Sequence, residues 1–235
     1  MNTDNSEILN KKHTEDFNRV LDIYENTYSH EALINLLKSG SVAEKQAAAL
    51  KLDELHNSDD ADILMSNLTD CDGKIREAVS FRLAEFIRQN PEYFTKHSDI
   101  FIKAIIDING NICRNTISAL KNLKNYPQFC ENFCKKLEEN AYNLSLQAKN
   151  FDIQEGKYKI NKEIFKLYWY LEAIYEFSEY INENPLEQIL LNAKEVDDYT
   201  IREKAAKIIS KQKNVKFSYL KEELKNDKNY YVRRF

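Results

Sequence analysis

Apolar positions recur at helical spacing through almost the whole chain, most clearly in Leu68 to Ile87, LTDCDGKIREAVSFRLAEFI. Ile75, Val79, Leu83 and Phe86 fall on one face, which predicts an amphipathic helix. Asp70, Asp72 and Gly73 form an acidic turn before it. The same reading predicts helices over about 15–25 (Phe17, Val20, Leu21 and Tyr24), 30–38, 42–55, 58–68 and 98–106. Further helices follow from Tyr126-Pro127, over about 162–181, from Pro185 and through Phe217, Leu220 and Leu224. Ser39-Gly40 and Asn90-Pro91 read as helix stops. Residues 1–12 are polar and read as a frayed or disordered tail. Residues 141–162 lose the periodicity and read as a loop or insertion.

The unit at Leu68 comes back. DINGNICRNTISALKNL (107–123) repeats it, VDDYTIREKAAKIIS (196–210) does so again, and LKNDKNYYVRRF (224–235) starts it once more. Leu50, Leu83, Leu120, Leu171 and Ile209 take equivalent places, 33, 37, 51 and 38 residues apart. Two helices per period of about 30 to 50 residues signal stacked helical hairpins, because one such hairpin cannot bury its apolar face alone.

The units carry an aliphatic-Arg pair at Ile75-Arg76, Ile201-Arg202 and Val232-Arg233. Asp70, Asp107 and Asp227 stand five residues before Ile75, Ile112 and Val232. This combination resembles the second helix of HEAT repeats over roughly residues 30–235, apart from 141–162. The resemblance implies an all-α, right-handed α-solenoid of five to six hairpins spanning residues 13–235, with the second helices lining its concave face. The chain departs from the pattern at Cys113, which replaces the Arg and leaves Arg114 one place late. Glu163 stands where Ile75 would, and the 42–55 unit lacks the Arg. Arg76, Arg202 and Arg233 are expected to bridge to acidic turns of their own or the adjacent unit as a ladder of solvated pairs, each contributing about 0–1 kcal/mol.

Composition agrees with helices. Four Gly and three Pro in 235 residues, against an average near 12% combined, leave too few turns for sandwiches, barrels or Rossmann-type folds. The net charge of −4 gives no general field for nucleic acid. It is uneven: from Lys194 to Phe235 twelve Lys or Arg face seven Asp or Glu, which reads as an anion-meeting end or an ordinary solvated face. Cys71, Cys113, Cys130 and Cys134 read as reduced thiols of a cytoplasmic protein. Cys130 and Cys134 lie one helical turn apart, but no neighbouring ligands complete a zinc site. The apolar runs are too short to cross a membrane.

No phosphate loop, zinc signature or nucleophile elbow is present, and His13, His30, His56 and His97 show no catalytic spacing. The chain therefore reads as a non-catalytic module without a cofactor, binding a protein or peptide on the concave face. A toxin-neutralising immunity protein is a narrower version. HEAT-like alkylpurine DNA glycosylases share the implied architecture, though an acidic body suits DNA poorly. Turning about 100° per residue away from Ile75 sets Phe81 and Arg88 on the open side. The equivalent positions are Arg114 and Lys121, then Phe165, Trp169 and Glu172, then Lys207. Phe81 and Trp169 fall in one column, and exposed aromatics among mixed charges suit a recognition surface. The plainer alternatives put Trp169 under the 141–162 stretch and Phe81 against a neighbouring repeat. The final unit breaks off, exposing an apolar end for another copy or the partner to cap, with Phe235 as anchor.

Overall fold

In a computed structural model the described residues are 3–151, 157–212 and 214–235, with side chains described from Thr14 onward and, in the ninth helix, from Tyr158. Among them the chain is all-helical, without strands. The helices are α1 (Thr3–Glu25), α2 (His30–Ser39), α3 (Val42–Lys51), α4 (Ser58–Ser66), α5 (Gly73–Gln89), α6 (Ser98–Ala104) and α7 (Gly110–Leu120). They continue as α8 (Pro127–Ala148), α9 (Lys157–Glu176), α10 (Glu183–Lys194), α11 (Tyr199–Lys211), α12 (Ser218–Lys225) and α13 (Tyr230–Arg233). No helix among the described residues is long and apolar enough to cross a membrane.

Two expected irregular stretches prove helical. α1 starts at Thr3, well inside the stretch read as a tail, because residues 6–12 offer good helix formers and neither Gly nor Pro. Residues 141–148 and 157–162 belong to α8 and α9; the middle of the expected loop, 152–156, lies outside the described residues. The apolar stripe assigned to α1 is also corrected. Ile23 is its buried anchor, whereas Phe17, Leu21 and Tyr24 are exposed and Val20 only partly covered, since α1 has one packing neighbour of substance, α3.

Elsewhere the periodicity reads true. Ile75, Val79, Leu83 and Phe86 are all buried, and a single apolar core runs from Ile23 to Val232. Leu83, Leu120, Leu171 and Ile209 lie inside it, with Leu50 half-buried against it. α3, α5, α7, α9, α11 and α13 form a row in which each packs on the next. On the other side α2 packs on α4, and α8 on both α6 and α10.

Local chemistry sets where these row helices begin. An Asx side chain three residues before the first core aliphatic caps α5, α7, α11 and α13. Asp72, Asn109, Asp198 and Asn229 accept from the backbone N–H groups of Lys74, Asn111, Thr200 and Tyr231 at 2.8 to 2.9 Å. Free helix-end donors are satisfied in this way, and such a cap is worth about 1 kcal/mol. α3 uses Ser41 with Glu44 as a capping box instead.

The Arg residues tie successive turns together. Arg76 makes a two-pronged bond to Asp107, Nε to Oδ2 at 2.6 Å and Nη2 to Oδ1 at 3.1 Å, while Nη1 donates to the Cys71 carbonyl of its own turn. Arg202 does the same to Asp227 at 2.6 and 3.3 Å, with Nη1 on the Val196 and Asp197 carbonyls. Arg233 makes the own-turn bonds, to the carbonyls of Asp227 and Lys228. The Arg202 pair is covered rather than solvated, Arg202 and Asp227 keeping only 6% and 9% of their side-chain exposure, while Arg76 is half-buried against a covered Asp107.

The departures behave consistently. Without an Arg in the 42–55 unit, Asp70 stays exposed, pairs with Lys103 at 3.2 Å beside a hydrogen bond from Thr69, and holds a left-handed φ of 60°, a region Asp tolerates better than most residues. Lys45 of that unit reaches Asn67 instead. Cys113 is buried, and its thiol donates to the Asp107 carbonyl at 3.0 Å, replacing the own-turn bond that Arg76 makes.

Candidate partner-binding face

The side chains projecting from α5, α7, α9 and α11 meet across the row, so this face is built from complementary pairs. Asn111 Nδ2 donates to Glu77 at 3.1 Å and Asn115 Nδ2 to Ser80 at 3.2 Å, joining α7 to α5. Lys121 on the 3-10 turn after α7 pairs with Glu176 of α9 at 3.0 Å. Lys204 of α11 is bonded to Glu172 of α9, and Lys207 lies 3.9 Å from the same carboxylate. Burial opposes the Lys204 ammonium, but the hydrogen bond and charge of Glu172, with help from Tyr168, outweigh it and hold its pKa above the ordinary lysine value.

Between α7 and α9 these residues leave a cleft of about 270 Å³, bounded by Arg114, Ile117, Ser118, Lys121, Tyr168, Trp169, Glu172 and Glu176. Four residues singled out in the sequence thus converge here: Arg114, Lys121, Trp169 and Glu172. Lys207 joins at the edge through Glu172. Within this cleft Arg114 is the cation that meets no carboxylate among the described residues; its Nη1 donates to Asn111 Oδ1 at 3.2 Å.

Trp169 does not form the exposed aromatic column expected with Phe81. It is 7% exposed, edge-on to Tyr168 and Phe165 with ring centroids 5.3 and 6.0 Å away. It packs against the start of α7, where a Cβ added to Gly110 would stand 3.4 Å from its Cζ2. The indole is therefore a wall of the cleft, lying against the start of α7 beside Gly110. Phe81 is 70% exposed on α5, one helix away from the cleft. Arg88, near the end of α5, is exposed and bonds to its own helix at the Ala84 carbonyl.

Phe165 faces a second hollow of about 440 Å³ beside the cleft, shaped by Ile106 and Ile108 after α6 and by Tyr158, Asn161, Lys162 and Lys166 of α9. Sequence reading missed this hollow. Its signal was Ile108, an isoleucine inside the polar turn Asp107-Ile108-Asn109-Gly110, while Tyr158 fell in the stretch read as a loop.

Other features resolve into structure. Arg234 pairs with Glu203 at 2.6 Å, Lys228 with Asp197 at 3.1 Å and Lys194 with Glu223, so the cation-rich C-terminal segment is largely a solvated, paired face. Cys113, Cys130 and Cys134 are buried, and burial pushes the Cys113 and Cys134 thiols up to about 12. Among the described residues no group of three or more His, Cys, Asp or Glu is placed to hold a metal ion.

Fold and face together define an all-helical protein with a mixed-charge, aromatic-walled cleft between neighbouring helices. No family model matches the chain, and no curated protein or solved structure is significantly similar to it.

Proposed function

We propose that the chain is a HEAT-like α-solenoid acting as a non-catalytic binding module, and that a protein or peptide lies on the face formed by α5, α7, α9 and α11. The architecture is supported by the row of consecutive helix contacts from α3 to α13 and by largely covered Arg–Asp forks joining one turn to the next at Arg76–Asp107 and Arg202–Asp227. The observation carrying the functional reading is the convergence of Arg114, Lys121, Trp169 and Glu172 on one cleft, with Phe81 exposed one helix away. A charged rim around a packed aromatic wall suits recognition of a polypeptide.

Affinity capture from the native cell, with Arg114→Glu and Phe81→Asp beside wild type, tests the reading. Both side chains are exposed, so neither change removes core packing. Wild type should retain a partner that both variants lose. If the two variants keep every partner, the choice of face is wrong.

A further inference from the structure

We infer that the hollow at the start of α9 takes an apolar anchor from an acidic segment of the partner polypeptide. The inference rests on the binding reading above and supplies the partner's chemistry. The hollow is apolar where it is deep and cationic where it is open. Ile106 and Phe165 are partly buried against the core, and Ile108 and Tyr158 stand 79% and 75% exposed beside them. Here the two exposed side chains border one cavity together with partly buried apolar residues, and contiguous apolar surface of that kind marks interaction sites.

Charge selects the occupant. Lys162 lies over the Tyr158 ring with Nζ 4.6 Å from its centroid and makes no ion pair among the described residues. Lys159, one turn earlier, is exposed and likewise unpaired among them. Lys166 is held by Glu163 at 2.7 Å, and Asp107, the nearest acid of the adjoining turn, is committed to Arg76. In the adjoining cleft Arg114 is also unpaired, because Glu77 is engaged by Asn111, and Glu172 and Glu176 are engaged by lysines. Phe165 of the hollow touches Trp169 of the cleft edge-on, and the two spaces are lined by two cations, Lys162 and Arg114, that meet no carboxylate among the described residues. The first turn of α9 contains no acid, so Lys159 sits where a helix start disfavours positive charge. Asp or Glu side chains flanking a Leu, Phe or Trp would satisfy the cations and fill the hollow at once.

Selection from a random twelve-residue peptide library displayed on phage tests this directly with the full chain. Enriched sequences should combine Asp or Glu with a large apolar residue. A fluorescein-labelled copy of the best one should bind at least about tenfold more weakly to Ile108→Glu and to Lys162→Glu, and more weakly as salt is raised. Both positions are exposed, and an unchanged thermal midpoint establishes that the variants fold. Enrichment of basic or uncharged peptides overturns the inference. So does an acidic peptide whose binding ignores Ile108→Glu and Lys162→Glu; if Arg114→Glu still weakens that peptide, the binding face stands and the anchor hollow alone is wrong. A library that yields no binder refutes both.

Discussion

Breaking the Arg202–Asp227 fork should destabilise the protein far more than a surface ion pair would. The guanidinium makes four bonds there, two to Asp227 and two to the Val196 and Asp197 carbonyls, and both partners are more than nine-tenths covered. Arg202→Ala strands a buried carboxylate whose remaining described bond is from the Asn229 N–H at 2.7 Å, together with two carbonyls. Removing one member of a buried pair costs about 3–5 kcal/mol, and at about 2–4 °C per kcal/mol for a chain of this size the thermal midpoint should fall by roughly 6–20 °C. Helicity followed by circular dichroism during heating and urea titration reads the loss. A cycle with Arg202→Met, Asp227→Asn and the double variant separates the pair from its surroundings, and coupling above about 1 kcal/mol is expected. Lys103→Ala, which frees the exposed Asp70 at the equivalent place of another turn, is the internal control and should leave the midpoint where it was. Equal, small effects at both positions would refute the view that burial makes the fork a structural tie. The pair also sets an acid limit. Burial works against the Asp227 carboxylate, but the Arg202 and Asn229 bonds outweigh it and hold its pKa below the usual range. A carboxylate depressed in the folded state contributes stability above its unfolded pKa of about 3.9, and that contribution is lost as pH falls through the lower folded value.

Two further outcomes follow from burial. His97 lies 3.0 Å from Asp62, yet burial lowers its pKa despite that neighbour; the folded state then binds fewer protons than the unfolded one, so stability drops as pH falls below about 6.5. His97→Gln should show a shallower loss of thermal midpoint between pH 7 and pH 5 than wild type, and parallel curves would refute this. In Ellman's assay at pH 8 the native protein should expose at most one slowly reacting thiol, the half-buried Cys71, and all four only in urea; two fast native thiols would contradict the buried placement of Cys113, Cys130 and Cys134.

The core was legible because helical periodicity is a local property. Ile75, Val79, Leu83 and Phe86 had to share a face wherever the helix was placed, and they are buried together. Exposure at the rim was not legible, because it depends on how closely the next helix approaches. Phe81 and Trp169 hold equivalent places, yet one is open and the other sealed, because Trp169 is enclosed by Phe165, Tyr168 and the start of α7 at Gly110. The α1 stripe failed for the converse reason. Phe17, Leu21 and Tyr24 have the right spacing, but they stay exposed because α3 is the one substantial packing neighbour of α1 among the described residues. The Arg ladder was expected as a solvated set; the partner type was legible from the acidic turns, but the covering of Arg202 and Asp227 depends on how closely successive turns approach.

The candidate face grows out of an interruption of that ladder. In the units at Arg76 and Arg202 the cation is spent on the next turn, where it holds the stack and is hidden from any partner. In the 107–123 unit the turn-facing place belongs to Cys113, whose small thiol satisfies the Asp107 carbonyl within the core. The cation comes one residue later, and one residue on a helix is a rotation of about 100°. That rotation carries Arg114 out of the stack and onto the α7–α9 cleft, exposed and without a carboxylate. A departure that weakens the repeat pattern thus supplies the unpaired charge on which the proposed recognition depends, and the proposal therefore turns on the place where the repeat breaks its own rule.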